Sequence, residues 1–572
     1  DCTMETQLRQ LKPGKLIFIG LLSFVLTSAS VSWAQIVVTS TANSGAGTLR
    51  QAIIDANADG AVNTIIFDPA VFPSASPASI NLTTVLPIMT GSGDTIDATG
   101  AGVRLNGTAS PADSIGIRVR ASNITIRGLI IENMPNDGIR VDTSLTSPIV
   151  TGALITGNTL NQNGSRGIRV VGGTGPGRTV SASITNNTVT DTLVSGIQVL
   201  ANSGDLGSGD PGGNQVDVTI DGNFVSGAVL AGTGGGSGIS IAGGIGDGSN
   251  NVLTALISNN TVDQNTDEGI AASGCGIQDA GSNNRVTVTI VNNLVTDNGL
   301  DPDDASDGIV ITGAAGDAGT STTCIGNVMR FEISQNTVTG SKTRNISVSG
   351  GTGRDHDVQG VILSNVANNA RESVGILVSG GGGSNNDVHD IIIRENQANA
   401  NGANVPANGD GIQVGGGSGV ANTVRNITVI GNETRDNYDE GISITGSSGT
   451  GNIVTAIEVS HNNAGANIDQ GIEVSGGSGQ GNHVSDVAIT SNTATRNGNR
   501  GIRLTVGTGT NNTASVRAIT SNNSNNNATD GIGIGANVPG SGTLISGNRT
   551  NANGQDGIDI VVRQQDSTTW VV

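Results

Sequence analysis

The chain has 572 residues, 88 of them Gly, with 2% aromatic and 13% charged residues, about twice the usual glycine share and half the usual charge. The glycines keep no three-residue period, which excludes collagen, and regularly spaced Ile and Val with a mean hydropathy of −0.04 exclude a disordered tail. A formal charge of −20 and a pI of about 4.4 argue against nucleic acid or an anionic membrane surface as the partner.

Residues 1–34 read as an export signal. Met4 reads as the start, with Asp1–Thr3 upstream of it. Arg9, Lys12 and Lys15 form a basic front, Leu16 to Leu26 an apolar core, and Ser32 and Ala34 the small residues of a cleavage site. The apolar run fades into Ser and Thr and is too short for a stable span. No later stretch reads as transmembrane, so the mature chain is expected to be secreted or held at the cell surface.

Residues 35–115 are expected to form an N-terminal cap and the first coils. Thr48 and Gln51 make a capping-box pair, while Leu49, Ala52, Ile53 and Ala56 share one helical face. That pattern predicts a helix lying over the open first coil, where strand edges need covering.

Residues 116–572 repeat. A Gly-Ile step opens a short alternating strand at DGIRV (from Asp137), RGIRV (Arg166), SGIQV (Ser195), DGIQV (Asp410), EGISI (Glu440) and QGIEV (Gln470), among others. Gly411, Gly441, Gly471, Gly501 and Gly531 are evenly spaced by about thirty residues, a period that signals a stacked solenoid. A glycine-rich corner follows each GIxV strand, then an Asn-x-Val start (Asn422, Asn482) and a β-branched run that closes on Ile-x-x-Asn. Those asparagines include Asn158, Asn187, Asn223, Asn432, Asn462, Asn492 and Asn522, often with a second one five residues on. Period-2 alternation sends Ile and Val inward. Parallel stacking then predicts aliphatic columns inside and asparagine ladders at a corner, the asparagines themselves taking the left-handed backbone angles of the bend. The final step, at Asp556, opens a coil with no recognisable cap, so a covering partner or further chain is expected there.

On the GIxV and IxxN marks, over roughly residues 100–560, the chain resembles the right-handed parallel β-helix superfamily, the pectate-lyase-like fold with PbH1-type repeats. IVVTSTANSGAGTLRQAIIDANA, from Ile36, resembles the opening of secreted bacterial β-helix surface proteins. The resemblance implies an all-β, right-handed parallel β-helix solenoid with an N-terminal capping helix. It says little about activity, because the superfamily includes lyases, hydrolases, epimerases, adhesins and phage spikes.

Cys275 and Cys324 are the cysteines of the mature chain, and an isolated pair in an exported protein reads as a disulfide. Zinc needs more ligands, and the four histidines lie elsewhere. Coil spacing departs most from thirty residues between Gly196 and Asn345, and solenoid insertions map to binding faces. There Asp267 and Glu268, then Asp301, Asp303, Asp304 and Asp307, then Lys342 and Arg344 are expected to stack at one corner. The six acids are candidate calcium ligands. Asp304, Lys342 and Arg344, with Asp355, His356 and Asp357 of the next coil, are the candidate catalytic residues. Asp355-His356-Asp357 resembles the Asp-Pro-His-Asp signature of alginate epimerases without its proline.

Few aromatics means no extended sugar-stacking platform. The expected function is a secreted or surface protein with a structural, adhesive or glycan-contacting role and no complete catalytic set, its candidate partner a polysaccharide. The alternative is a lyase, epimerase or hydrolase acting on an acidic glycan, with calcium as its candidate cofactor.

Overall fold

The computed structural model describes residues 34–561 apart from residues 174, 203–211, 230–235, 245–247, 277–280, 303–305, 316–323, 406–407 and 536–542. The expected leader lies outside the described residues except for Ala34, which begins the first strand (Ala34–Val38) and pairs with Asn63.

Short strands separated by sharp corners stack coil upon coil into a right-handed parallel β-helix. Among the described residues they form three sheets of 17, 15 and 10 strands, all paired in parallel. We call them the long sheet, the GIxV sheet and the short sheet. Ile412, Ile442, Ile472, Ile502 and Ile532 pair successively in the GIxV sheet, and all are fully buried. Each such side chain contributes about 1.5–3 kcal/mol of hydrophobic burial. The glycine before each isoleucine is required by space rather than by dihedral angle. A Cβ on Gly411 would stand 2.6 Å from the Gly441 carbonyl oxygen.

Three ladders of buried asparagines line the corners, one from Asn158 to Asn548, a second from Asn214 to Asn512 and a third that includes the run from Asn401 to Asn553. From Asn158 to Asn548 the rung's backbone N–H and side-chain amide both donate to the Oδ1 of the rung on the next coil, as in Asn432 to Asn462 at 2.9 and 3.0 Å. Asn365 is a further rung, between Asn336 and Asn396. The ladder runs unbroken past every insertion, so the inner corner keeps its register while connections elsewhere lengthen. The left-handed residue is not the ladder asparagine, as the sequence suggested, but the residue before it: Asn186 (φ 54°), Glu395 (φ 57°) and His461 (φ 57°). That residue makes the bend, and the asparagine turns inward to use its amide.

The helix Leu49–Asp59 buries the expected face, Leu49, Ala52, Ile53 and Ala56, against the continuous core. Its capping box is half formed. Thr48 accepts from the Gln51 N–H, but the Gln51 side chain donates to Asp55 at 2.8 Å. No described helix is long and apolar enough to cross a membrane.

Candidate functional site

The outer face of the GIxV sheet carries an unusual column, the residue immediately before each glycine. In three neighbouring coils this column reads Asp410, Glu440 and Gln470, all buried. Strand stacking puts Asp410 beside Glu440, whose N–H donates to Asp410 Oδ1 at 3.2 Å, while Gln413 Nε2 donates to Asp410 Oδ2 at 2.9 Å. Asp439 and Glu473 complete the rim of a small cavity of about 190 Å³. Ligand oxygens of Asp410, Asp439 and Glu440 lie within 4.8 Å of one another, the one such group of three among the described residues.

Burial and mutual repulsion split the protonation of these acids. Loss of water, then the adjacent Asp410, holds the Glu440 carboxyl far above its usual range. Burial raises Asp410 to about 6, and burial with the charges of Asp410 and Asp469 raises Asp439 to about 7. Near neutral pH Glu440 is therefore a proton donor to its neighbours. Such a group can donate to and accept from sugar hydroxyls. Its all-oxygen donor set suits a hard cation such as calcium rather than zinc. Three carboxyls, one of them protonated, fall short of the six to eight oxygens calcium takes. Tyr438, the single tyrosine of the chain, is half-buried and does not line the cavity.

Among the described residues the insertion corner stacks in the expected order, and its ionisable groups meet as pairs. Glu268 and Asp307 precede the glycines of consecutive coils, and Arg344 follows in the same column before Asn345, which stands in the glycine's place. Asp307 is buried and accepts from the Arg344 backbone N–H at 2.9 Å and from its guanidinium at 3.1 Å. Burial holds Asp307 above its ordinary range despite Arg344. Glu268 accepts from Ser237 at 3.0 Å, and burial, then the charge of Asp267, holds its carboxyl well above the usual range. Lys342 donates to the backbone carbonyls of Asp301 (2.9 Å) and Pro302 (2.7 Å), tying down the insertion. Asp303 and Asp304 lie outside the described residues. Among the described acids, Asp267, Glu268, Asp301 and Asp307 converge on no common point. Arg344 is the cation that faces Asp307.

His356 is not a surface base. It replaces an asparagine in the ladder that begins at Asn214, its Nδ1 accepting from Asn327 N–H (3.1 Å) and its backbone N–H donating to Asn386 Oδ1 (3.1 Å). Burial lowers its pKa to about 4. Asp355 is an exposed partner of Arg354 (3.3 Å). Asp357 stacks on Asp387 and sits on the long sheet's outer face between Arg330 (2.9 Å) and His389 (3.0 Å), which hold it ionised. The three neighbours in sequence thus point to different environments. Cys275 and Cys324 are bonded, with Cα atoms 6.5 Å apart, in a small satellite core with Ala314.

The acid cavity was not among the sequence candidates. Its signal was present, as acids at Asp410, Asp439, Glu440 and Glu473 fall in adjacent columns of consecutive repeats. These coils keep the regular thirty-residue spacing, and attention to insertions passes over them.

A family profile described as a protein of unknown function (DUF1565) matches residues 52–229. No curated protein matches. Among solved structures, the chain is similar to the Dettilon tailspike protein gp208, at 16% identity over 73% of this chain and 63% of that one, with a TM-score of 0.39. It is also similar to PfbA, a surface adhesin of Streptococcus pneumoniae (13% identity, 66% and 86% covered, TM-score 0.35). A third is the pectate lyase Pel9A (12% identity, 76% and 77% covered, TM-score 0.28). The chain is a right-handed parallel β-helix, its strands paired in parallel in all three sheets.

Proposed function

We propose that this protein is an exported, glycan-contacting β-helix without catalytic turnover, and that a polysaccharide lies along the outer face of the GIxV sheet. The observation that carries this reading is the concentration of buried ionisable groups on that one face: Asp410, Glu440 and Asp307 among the acids, with half-buried arginines on the first coils. Burying charge is expensive unless it serves a partner or a pair. The face is long, polar and repeats about every 4.8 Å, which suits a chain-like ligand. Its carboxyl and amide groups are the donors and acceptors that sugar hydroxyls require. Export rests on the leader read from residues 1–34.

One observation favours a second reading, hydrolysis. A protonated Glu440 beside an ionisable Asp410 is the split in carboxyl protonation that glycosidic acid–base chemistry uses. Incubating the full chain with neutral and uronate polysaccharides, in calcium and in EDTA, separates the two. Saturable binding without new chain ends, weakened by Glu440→Gln, is the expected result. Product formation that disappears in Asp410→Asn supports hydrolysis instead. Neither binding nor product on any polymer overturns both readings.

A further inference from the structure

The first coils of the same sheet carry the opposite chemistry. Arg118, Arg140 and Arg169 stack in register as the outward residues of three consecutive strands, followed by Gln198. Arg120 and Arg166 flank them. Five arginines on three coils are a large share of the 27 Lys and Arg residues in a chain of net charge −20.

Among the described residues, the carboxylates that face them are Asp137 and Asp142. Asp142 is taken by Arg118 and by Arg120 at 2.8 Å, with Arg140 at 3.5 Å. Asp137 is fully buried, yet neither of its oxygens makes a hydrogen bond. It stands 3.8 Å from Arg140 and 3.9 Å from Arg166, beyond bonding reach. The Nε atoms of Arg140, Arg166 and Arg169 are likewise buried without a hydrogen bond. Arg166 spends one side-chain N–H on Ser165 at 2.8 Å, and the Arg169 side chain makes no hydrogen bond or ion pair among the described residues. Burial, then the charges of Arg166 and Arg140, lowers Arg169 to about 9. Guanidinium groups normally occur buried only where an anion neutralises them.

We propose that the guanidinium groups of Arg140, Arg166 and Arg169 form a binding site for an oxyanion, a carboxylate or a sulfate carried by a ligand lying on the first coils of the GIxV sheet. The charge balance calls for it, since five arginines against two aspartates leave an uncompensated positive field. Planar forks stacked about 4.8 Å apart present paired N–H groups of the kind that engage such groups two-pronged. The site is separate from the acid cavity. Seven coil-to-coil steps separate Arg169 from Asp410, about 34 Å at ~4.8 Å each.

The test is calorimetric titration of the full chain at pH 7 and low salt. Sodium sulfate, trigalacturonate and a sulfated trisaccharide are the probes, each against sodium chloride at matched ionic strength. Saturable binding of at least one probe is expected, the tightest one naming the oxyanion. Arg169→Gln and Arg140→Gln weaken it at least tenfold, Arg169→Lys weakens it less, and Arg517→Gln on the long sheet leaves it unchanged. Circular dichroism and melting confirm the fold of each variant, so that either arginine substitution alone suffices. No saturable binding by the folded wild type, or equal loss in Arg517→Gln, overturns the site. Sulfate binding without any polysaccharide binding would uphold it while removing the glycan reading.

Discussion

The two ends of the GIxV face share one backbone and differ in charge. At the N-terminal end Asp137 and Arg166 precede the glycines and Arg140 and Arg169 follow them. At the C-terminal end Asp410 and Glu440 precede, and Gln413, Ser443 and Glu473 follow. Strand pairing, buried isoleucines and the asparagine ladder run alike through both. The solenoid therefore fixes where side chains stand, about 4.8 Å apart in columns, and leaves their chemistry free to change from coil to coil. A repeat can place arginines at one end and protonated carboxyls at the other without altering a single turn.

If the scaffold is the same at both ends, damage to it should be equal at both. Asn187→Ala and Asn462→Ala each remove the Oδ1 that accepts from a backbone N–H and an amide of the preceding rung. Leaving two buried donors unpaired is expected to cost about 2–4 kcal/mol in either variant, measured by denaturant unfolding. A large effect at one end and none at the other would break the comparison at its base.

The ends should differ in their response to pH. At the acid end the folded carboxyls have raised pKa values, so the folded state binds more protons than the unfolded one. The stability this contributes is present below about pH 4 and is lost as pH rises through 6 to 7, the range of Asp410 and Asp439. A loss on the order of 2 kcal/mol is expected between pH 4.5 and 8, and Glu440→Gln should flatten it. His356 titrates in the opposite sense, its contribution fading as pH falls from 6.5 toward 4. Melting curves of wild type, Glu440→Gln and His356→Asn across this range separate the two. A wild-type slope unchanged by Glu440→Gln would contradict the shared protonation.

The smallest effect belongs to ion pairs off this face. Arg517 and Asp486 form an exposed pair on the long sheet at 2.9 Å, so Arg517→Ala should change stability by less than about 1 kcal/mol and leave binding unaltered.

Much of the architecture was legible because it is periodic. The GIxV step, the inward isoleucines and the Ile-x-x-Asn rungs follow from alternation and spacing alone. The left-handed position was misassigned because asparagine favours both that conformation and ladder bonding, and only coordinates show that Asn186 makes the bend while Asn187 makes the bond. His356 was read as a chemical residue because it lies between two aspartates. Aligned on the repeat, its His-Asp-Val stands where Asn422-Thr423-Val424 stands in a regular coil, which identifies a rung. The acid cavity and the arginine stack were harder to see. Each is assembled from residues thirty or so positions apart that are individually ordinary, and their meaning lies in burial, which depends on how neighbouring coils close around them.

The central claim is that ligand meets the GIxV face and not the long sheet. It is tested most directly by filling one face at a time with a bulky side chain and measuring affinity for the polysaccharide or oligosaccharide that binds the wild type. Ser443→Trp, at the acid cavity, should weaken binding at least tenfold, while Thr455→Trp, outward on the long sheet, should leave it unchanged. Undiminished binding in Ser443→Trp together with loss in Thr455→Trp, both variants folded, would contradict it.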